Sequence, residues 1–367
     1  MSDDPIRYAR HLALPEIGAS GQARLAAARV LVVGCGGLGS PVALYLAAAG
    51  VGTLGLLDHD VVDLSNLQRQ VLFDTADIGS PKVVAAARRL RALNPGLTVH
   101  EHRERLERST AARLFDGYEL VVDGTDRLAT RYLVSDACVA LGKPLVSAAI
   151  HRFEGQAFSY VPGRSPCYRC LFPDGERALV PSCAEAGVLG VLPGVMGSLQ
   201  ATEAIKLLLG LGTSLAGRFL LYDALALRFQ EFPFTRRRDC AACGDHIDRT
   251  TLLAPEDQTM GSIERWTPAQ VAAALAADDA GRYLLVDVRE SYEWEDSGHA
   301  PGALLLPLGS LPQRLAELPA DRRLVFMCAG GVRSLHACQF AAAQGRDTVN
   351  VEGGFYLWAV NQAVVRD

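Results

Sequence analysis

Short apolar runs recur along this chain, separated by stretches in which small apolar residues return every three or four positions. The early runs are VLVVG, TLGLLD, LTVHEH, LVVDGTD and PLVSAAI. Each is too short for a helix and reads as a strand, while SPVALYLAAAG and SPKVVAAARRLRALN read as helices. The second of these helices takes Ser80 as its N-cap and Pro81 as its first helical residue. Strands alternating with helices predict a doubly wound, Rossmann-like parallel α/β sheet over residues 1–248. The pattern lapses over residues 249–262, RTTLLAPEDQTMGS, which read as a linker. It resumes in LLVDV, LVFM and TVNVEG with helices between, so residues 263–367 form a second, smaller α/β unit.

One stretch tests this reading. Val30 to Leu57 carries no charge and is long enough to span a bilayer. Its glycines and Pro41 break it into strand, turn, helix and strand, the opening of a parallel sheet buried on both faces. A chain of 367 residues suits two cores. The net charge of −5 provides no field to draw nucleic acid or anionic lipid. MSDDPIRYAR has no apolar core and is not a signal peptide. Nine cysteines, an odd number over a long chain, argue against a secreted disulfide framework and for a reducing, cytoplasmic compartment.

Candidate chemistry begins at Gly34-x-Gly36-x-x-Gly39, with Gly37 inside it, between a strand and a helix. Asp58 ends the next strand, where a ribose-binding acid belongs. Such a loop turns backbone N–H groups towards a phosphate. Alone it says only that a nucleotide binds, and an NAD enzyme is the default. The residues that follow point elsewhere. Arg69 and Lys82 are cations, and Asp126 stands at the carboxyl end of a strand. Cations for phosphates and an acid for Mg²⁺ suit chemistry at a triphosphate, and hydride transfer needs neither.

These residues carry a resemblance. RYARH, GCGGLGS, LDHDVVDLSNLQRQ, GSPK, DGTD, CYRC, CAEAGV and GSLQATEAIK make residues 1–248 resemble the MoeB/ThiF family, bacterial relatives of ubiquitin-activating enzymes. The resemblance implies a domain that binds ATP and Mg²⁺ and adenylates the C-terminal glycine of a small ubiquitin-fold sulfur carrier, MoaD/ThiS-like and ending in Gly-Gly. It implies that Asp58 holds the ribose, that Ser65, Asn66, Arg69 and Lys82 contact phosphates, and that Asp126 serves the metal and the adenylation step. It also implies that Arg10 reaches the phosphates from a partner subunit, hence a homodimer. The family usually has Asn after that Asp, where this chain has Arg127.

Cys167-x-x-Cys170 and Cys240-x-x-Cys243 have the spacing of a closed tetrahedral zinc site, against an alternative of redox dithiols. The resemblance assigns the same structural zinc, a staple that adds folding free energy rather than chemistry. Cys183, in LVPSCAEAGVLG, reads as a loop cysteine. The resemblance makes it the thiol that bonds to the activated carrier; the alternative is a small buried cysteine.

Near the far end, CAGGVRS joins a short apolar strand to a helix, placing Cys328 against a helix N-terminus with Arg333 five residues on. With VDVRESYEWEDSGHAPGALLLPL and NVEGGFYLW it is similar to a rhodanese-type sulfurtransferase loop. A free thiol ionises with a pKa of about 8.5. Backbone N–H groups, the helix end and Arg333 would each favour the thiolate and a persulfide anion. Ala329 follows Cys328 where many rhodaneses have a basic residue, which leaves the sulfur donor open between thiosulfate and the persulfide of a cysteine desulfurase. Asp287 and Arg289 are assigned to framework. The two ends fit one sequence of steps, adenylation then attack by a persulfide, as in MoeZ-like fusions that supply sulfur for molybdopterin, thiamine, cysteine or tRNA thiolation. Two further readings use the same residues: an activator that passes its carrier on as a thioester for conjugation, and an NAD-dependent oxidoreductase.

Overall fold

The computed structural model describes residues 4–173, 187–245, 247–254, 263–278 and 280–365. It divides into two compact units, Met1–Pro255 and Glu256–Asp367. The first is built on an eight-stranded sheet. Its strands are β1 (Arg29–Val33), β2 (Thr53–Leu57), β3 (Thr98–His102), β4 (Leu120–Asp123), β5 (Leu145–His151), β6 (Glu154–Tyr160), β7 (Arg218–Asp223) and β8 (Arg228–Pro233). Their order is β3-β2-β1-β4-β5-β6-β7-β8. The strands from β3 to β5 are parallel, and β6, β7 and β8 extend the sheet antiparallel.

Burial explains why the parallel strands read as unbroken apolar runs. In β1, Val30 and Val32 enter one core with Leu46, Leu54 and Leu56, while Leu31 and Val33 enter another with Val121 and Tyr132. A strand covered on both faces has no polar side to show. Each such side chain contributes roughly 1.5–3 kcal/mol by leaving water. The uncharged stretch from Val30 to Leu57 resolves into β1, a turn, the helix Gly39–Ala49 and β2. Among the described residues no helix is long and apolar enough to cross a membrane.

Three details differ from the sequence expectation. The strands β6 to β8 were not among the apolar runs: EGQAFSY mixes polar residues into a strand that is nonetheless largely buried, RFLLYD is part-exposed along one face, and every residue of RFQEFP is exposed. The helix after Ser80 starts one residue later, at Lys82, with Pro81 as N-cap and no side-chain cap. The supposed linker also begins late. Arg249–Leu253 forms a 3₁₀ turn, Leu252 is buried in the core beside Leu114 and Tyr132, and the Leu252 carbonyl accepts a 2.6 Å hydrogen bond from Arg108.

The second unit carries five parallel strands, β9 (Glu264–Trp266), β10 (Tyr283–Asp287), β11 (Leu304–Leu305), β12 (Arg323–Met327) and β13 (Thr348–Val351), ordered β11-β10-β12-β13-β9. The central β12 repeats the two-faced logic. Leu324 and Phe326 pack on one side, Val325 and Met327 on the other.

A nucleotide-shaped cleft and a cradled cysteine

The cleft of the first unit opens at the carboxyl ends of β1, β2 and β4. Its floor is a meeting of backbones. Gly34 has φ +89°, and a Cβ there would lie 3.0 Å from the Gly124 carbonyl oxygen. A Cβ on Gly39 would lie 1.9 Å from the Gly34 oxygen, so only glycine lets the helix start this close to the loop. Asp58 is tied into the same loop. Its Oδ2 accepts the Cys35 backbone N–H at 2.8 Å, and its Oδ1 accepts that of Asp60 at 2.9 Å.

Gly34, Gly36, Gly37, Asp58, Arg69, Lys82 and Asp126 all line this cleft. Lys82 is buried and donates to Asp60 at 3.1 Å. Burial works against the Asp60 charge, but Lys82 outweighs it and, with His59 and Arg127, holds the carboxyl below the usual range. Ser65 and Asn66 lie in a 3₁₀ turn outside the cleft lining. The Ser65 hydroxyl is spent on Asp63 at 2.6 Å, and its carbonyl holds the Arg69 guanidinium at 3.0 Å. Within one chain these two residues position Arg69. Arg10 is exposed and outside the lining of its own cleft. Its neighbour Tyr8 packs at Gly50, the C-terminal end of the helix Gly39–Ala49. Eleven helical residues put that end roughly 16 Å from the glycine loop.

Sequence reasoning missed the residue that shapes the Asp126 loop. Asp123 is fully buried and accepts the Thr125 N–H at 3.0 Å, the Thr125 hydroxyl at 2.7 Å and the Ser147 hydroxyl at 2.8 Å. Arg131, also in the cleft wall, stands 3.7 Å from it. Gln70 was missed as well. It is buried in the wall with its Oε1 lacking a protein partner. The first acid of VVDGTD, followed by Gly-Thr, was the available signal for Asp123; nothing local marks Gln70.

The four cysteines of the paired motifs converge. Sγ distances are 4.0 Å for Cys167–Cys170, 3.6 Å for Cys167–Cys240 and 3.4 Å for Cys170–Cys243, and all four residues are buried. A tetrahedral ion with Zn–S bonds of about 2.3 Å separates its sulfurs by about 3.8 Å. The donor set and spacing fit zinc. Cys183 falls in 174–186, outside the described residues.

In the second unit Cys328 follows β12 and precedes the helix Val332–Ala343. Its sulfur accepts the Gly331 N–H at 3.1 Å and the Ser334 hydroxyl at 3.4 Å. Gly331 takes φ +91° to turn its N–H inward. The loop's carbonyls face the other way, accepting N–H groups of Phe355 and Tyr356 at 2.7 and 3.0 Å. A Cβ on Gly354 would lie 2.2 Å from the Cys328 oxygen, which explains the second glycine pair of NVEGG. Arg333 does not stand with an unmatched charge at the sulfur. Its two terminal nitrogens grip Glu293 at 2.6 and 2.7 Å. Asp287 and Arg289 are framework by geometry. Their buried pair, at 2.8 Å, is held by Trp294 on one side and the Phe355 ring on the other.

Comparison with known proteins matches each unit to a family. Residues 8–243 match the ThiF family, and residues 267–361 match the Rhodanese-like domain. The chain is 44% identical over 369 residues to a probable adenylyltransferase/sulfurtransferase MoeZ of Mycobacterium tuberculosis, covering 97% of this chain and 93% of that protein. It is 52% identical over 253 residues to a sulfur carrier protein adenylyltransferase of Thermus thermophilus, covering 67% of this chain and 93% of the relative. A crystal structure of E. coli MccB with ATP is similar at 26% identity and TM-score 0.54, over 61% of this chain and 68% of that one. The chain belongs to the ThiF family, with a rhodanese-like domain behind its nucleotide-binding unit.

Proposed function

We propose that the first unit, over residues 1–248, activates the C-terminal carboxylate of a ubiquitin-fold sulfur carrier ending in Gly-Gly, and that the second, over 263–367, delivers sulfur to it. The carrier carboxylate attacks the α-phosphorus of ATP, and pyrophosphate leaves. Asp58 binds the ribose, the glycine loop offers N–H groups to phosphate, and Arg69 and Lys82 offset the charge of the departing pyrophosphate. Asp126 is the residue that would hold Mg²⁺, which draws charge from the triphosphate when bound. The relatives named for adenylyl and sulfur transfer, and the ATP complex of MccB, support this assignment.

A persulfide on Cys328 then attacks the acyl carbonyl, and AMP leaves. A second thiol, assigned to Cys183, attacks the Cys328 sulfur of the resulting acyl disulfide. The carrier departs as a thiocarboxylate, and the disulfide left between the two cysteines is reduced by an external dithiol. The reading extends to a homodimer in which Arg10 serves the neighbouring cleft, to zinc held by Cys167, Cys170, Cys240 and Cys243, and to a cytoplasmic setting. The position of Arg10, outside its own cleft and near the far end of a helix, supports the dimer.

The observation that carries the proposal is the Cys328 sulfur held by an inward N–H and a hydroxyl, in a chain whose other unit has the ThiF cleft. The test incubates the chain with ATP, Mg²⁺, a sulfur donor and carriers ending in Gly-Gly. Intact mass should show one carrier exchanging a carboxylate oxygen for sulfur. A carrier that is adenylated but never thiolated would refute the sulfur step.

A further inference from the structure

The loop CAGGVRS contains a single cation, and the helix Ser291–Ser297 lays an acid against it. Glu293 binds Arg333 with both carboxylate oxygens, in a pair part-buried on both sides. Burial opposes the Glu293 charge, but the Arg333 hydrogen bond, the Glu290 N–H and the nearby Arg289 hold its carboxyl below the usual range. Glu290, Glu295 and Asp296 are exposed on the same helix and its cap. Trp294 fixes that helix, donating to Asp287 at 2.9 Å and stacking on His299 at 4.0 Å. The cradle thus has oriented dipoles for one anionic sulfur, while the one cation of the loop is matched by Glu293.

Two classes of donor make different demands on such a loop. With thiosulfate, the Cys328 thiolate attacks the outer sulfur, the S–S bond breaks, and sulfite leaves with the bonding pair. Three negative charges share that transition state. With a protonated alkyl persulfide, the thiolate takes the terminal sulfur and an alkyl thiolate leaves, with one negative charge throughout. We propose that Glu293 sets donor specificity: by matching the charge of Arg333, it biases Cys328 towards persulfide donors and against the thiosulfate dianion. The inference rests on the sulfur-transfer reading above and narrows it to a donor class.

The test measures kcat/KM for persulfide formation on Cys328 in the full chain, with thiosulfate and with a small neutral alkyl persulfide. Glu293→Gln should raise the thiosulfate value by roughly fivefold or more, the scale of one charge in a part-buried site. It should steepen that value's dependence on salt and leave the alkyl persulfide value nearly unchanged. Glu293→Asp, which keeps the charge, should retain the original preference. Parallel loss with both donors in a Gln variant that melts like the parent, or an unchanged ratio, would overturn the proposal while sparing sulfur transfer itself. No sulfur on Cys328 of the unmutated chain from either donor would overturn both.

Discussion

Asp126 and Asp123 show how two acids of one short motif divide their work. Asp123 is buried and consumed by Thr125 and Ser147, whereas Asp126 is exposed to the cleft. Asp126→Ala should therefore abolish ATP–pyrophosphate exchange and leave thiosulfate-dependent sulfur transfer unchanged. Retained exchange would remove it from the adenylation site. At the other centre, Gly354→Ala would push a methyl group into the Cys328 carbonyl, which must shift. Loss of sulfur transfer with normal pyrophosphate exchange is expected, read by cyanide-trapped sulfur. At this scale the sequence picked out residues that line the cleft but not the partners they hold within the fold. Asp58 and Lys82 were legible because they stand at strand and helix ends. The Glu293 partner of Arg333 was not, because forty residues separate them and no periodicity links them.

Elements were legible where one physical pattern dominated. The strands β1, β2, β4 and β12 are apolar on both faces, and that marks them whatever surrounds them. The strand β6 buries polar residues such as Ser159, which donates to Glu203, β7 is covered on one side only, and β8 is exposed throughout, so their runs are mixed. The Arg249–Leu253 turn was hidden for a different reason: a polar stretch with two leucines is a linker unless a core waits for one of them. The paired cysteines join elements seventy-three positions apart, so a metal there closes a long loop. Cys240→Ser should lose bound zinc and lower the melting temperature of the first unit. The shift should be roughly 2–4 °C for each kcal/mol lost. Sulfur transfer by the second unit should persist. Unchanged melting and metal content would point to a dithiol instead.

For the whole molecule, the proposed homodimer makes a claim that no single chain could satisfy. Arg10→Ala and Asp126→Ala should each be inactive in adenylation, yet mixing them should restore part of it, since one of the mixed clefts has both residues. A chain that sediments as a monomer while fully active would exclude this. The burial of the thiols has a wider consequence. A persulfide is an oxidant towards any thiolate within reach, and all eight described cysteines are unpaired. Burial pushes the Cys35 and Cys138 thiols well up, with Asp58 and Asp123 adding to it, and raises Cys338 to about 12. At neutral pH these three are therefore insulated, and a metal would insulate four more. Loaded with excess thiosulfate, the chain should gain one stable sulfur atom, which Cys328→Ala removes. Among the described cysteines the fold thus insulates seven, three by burial and four by the metal they would hold, and leaves Cys328 as the one where incoming sulfur can rest.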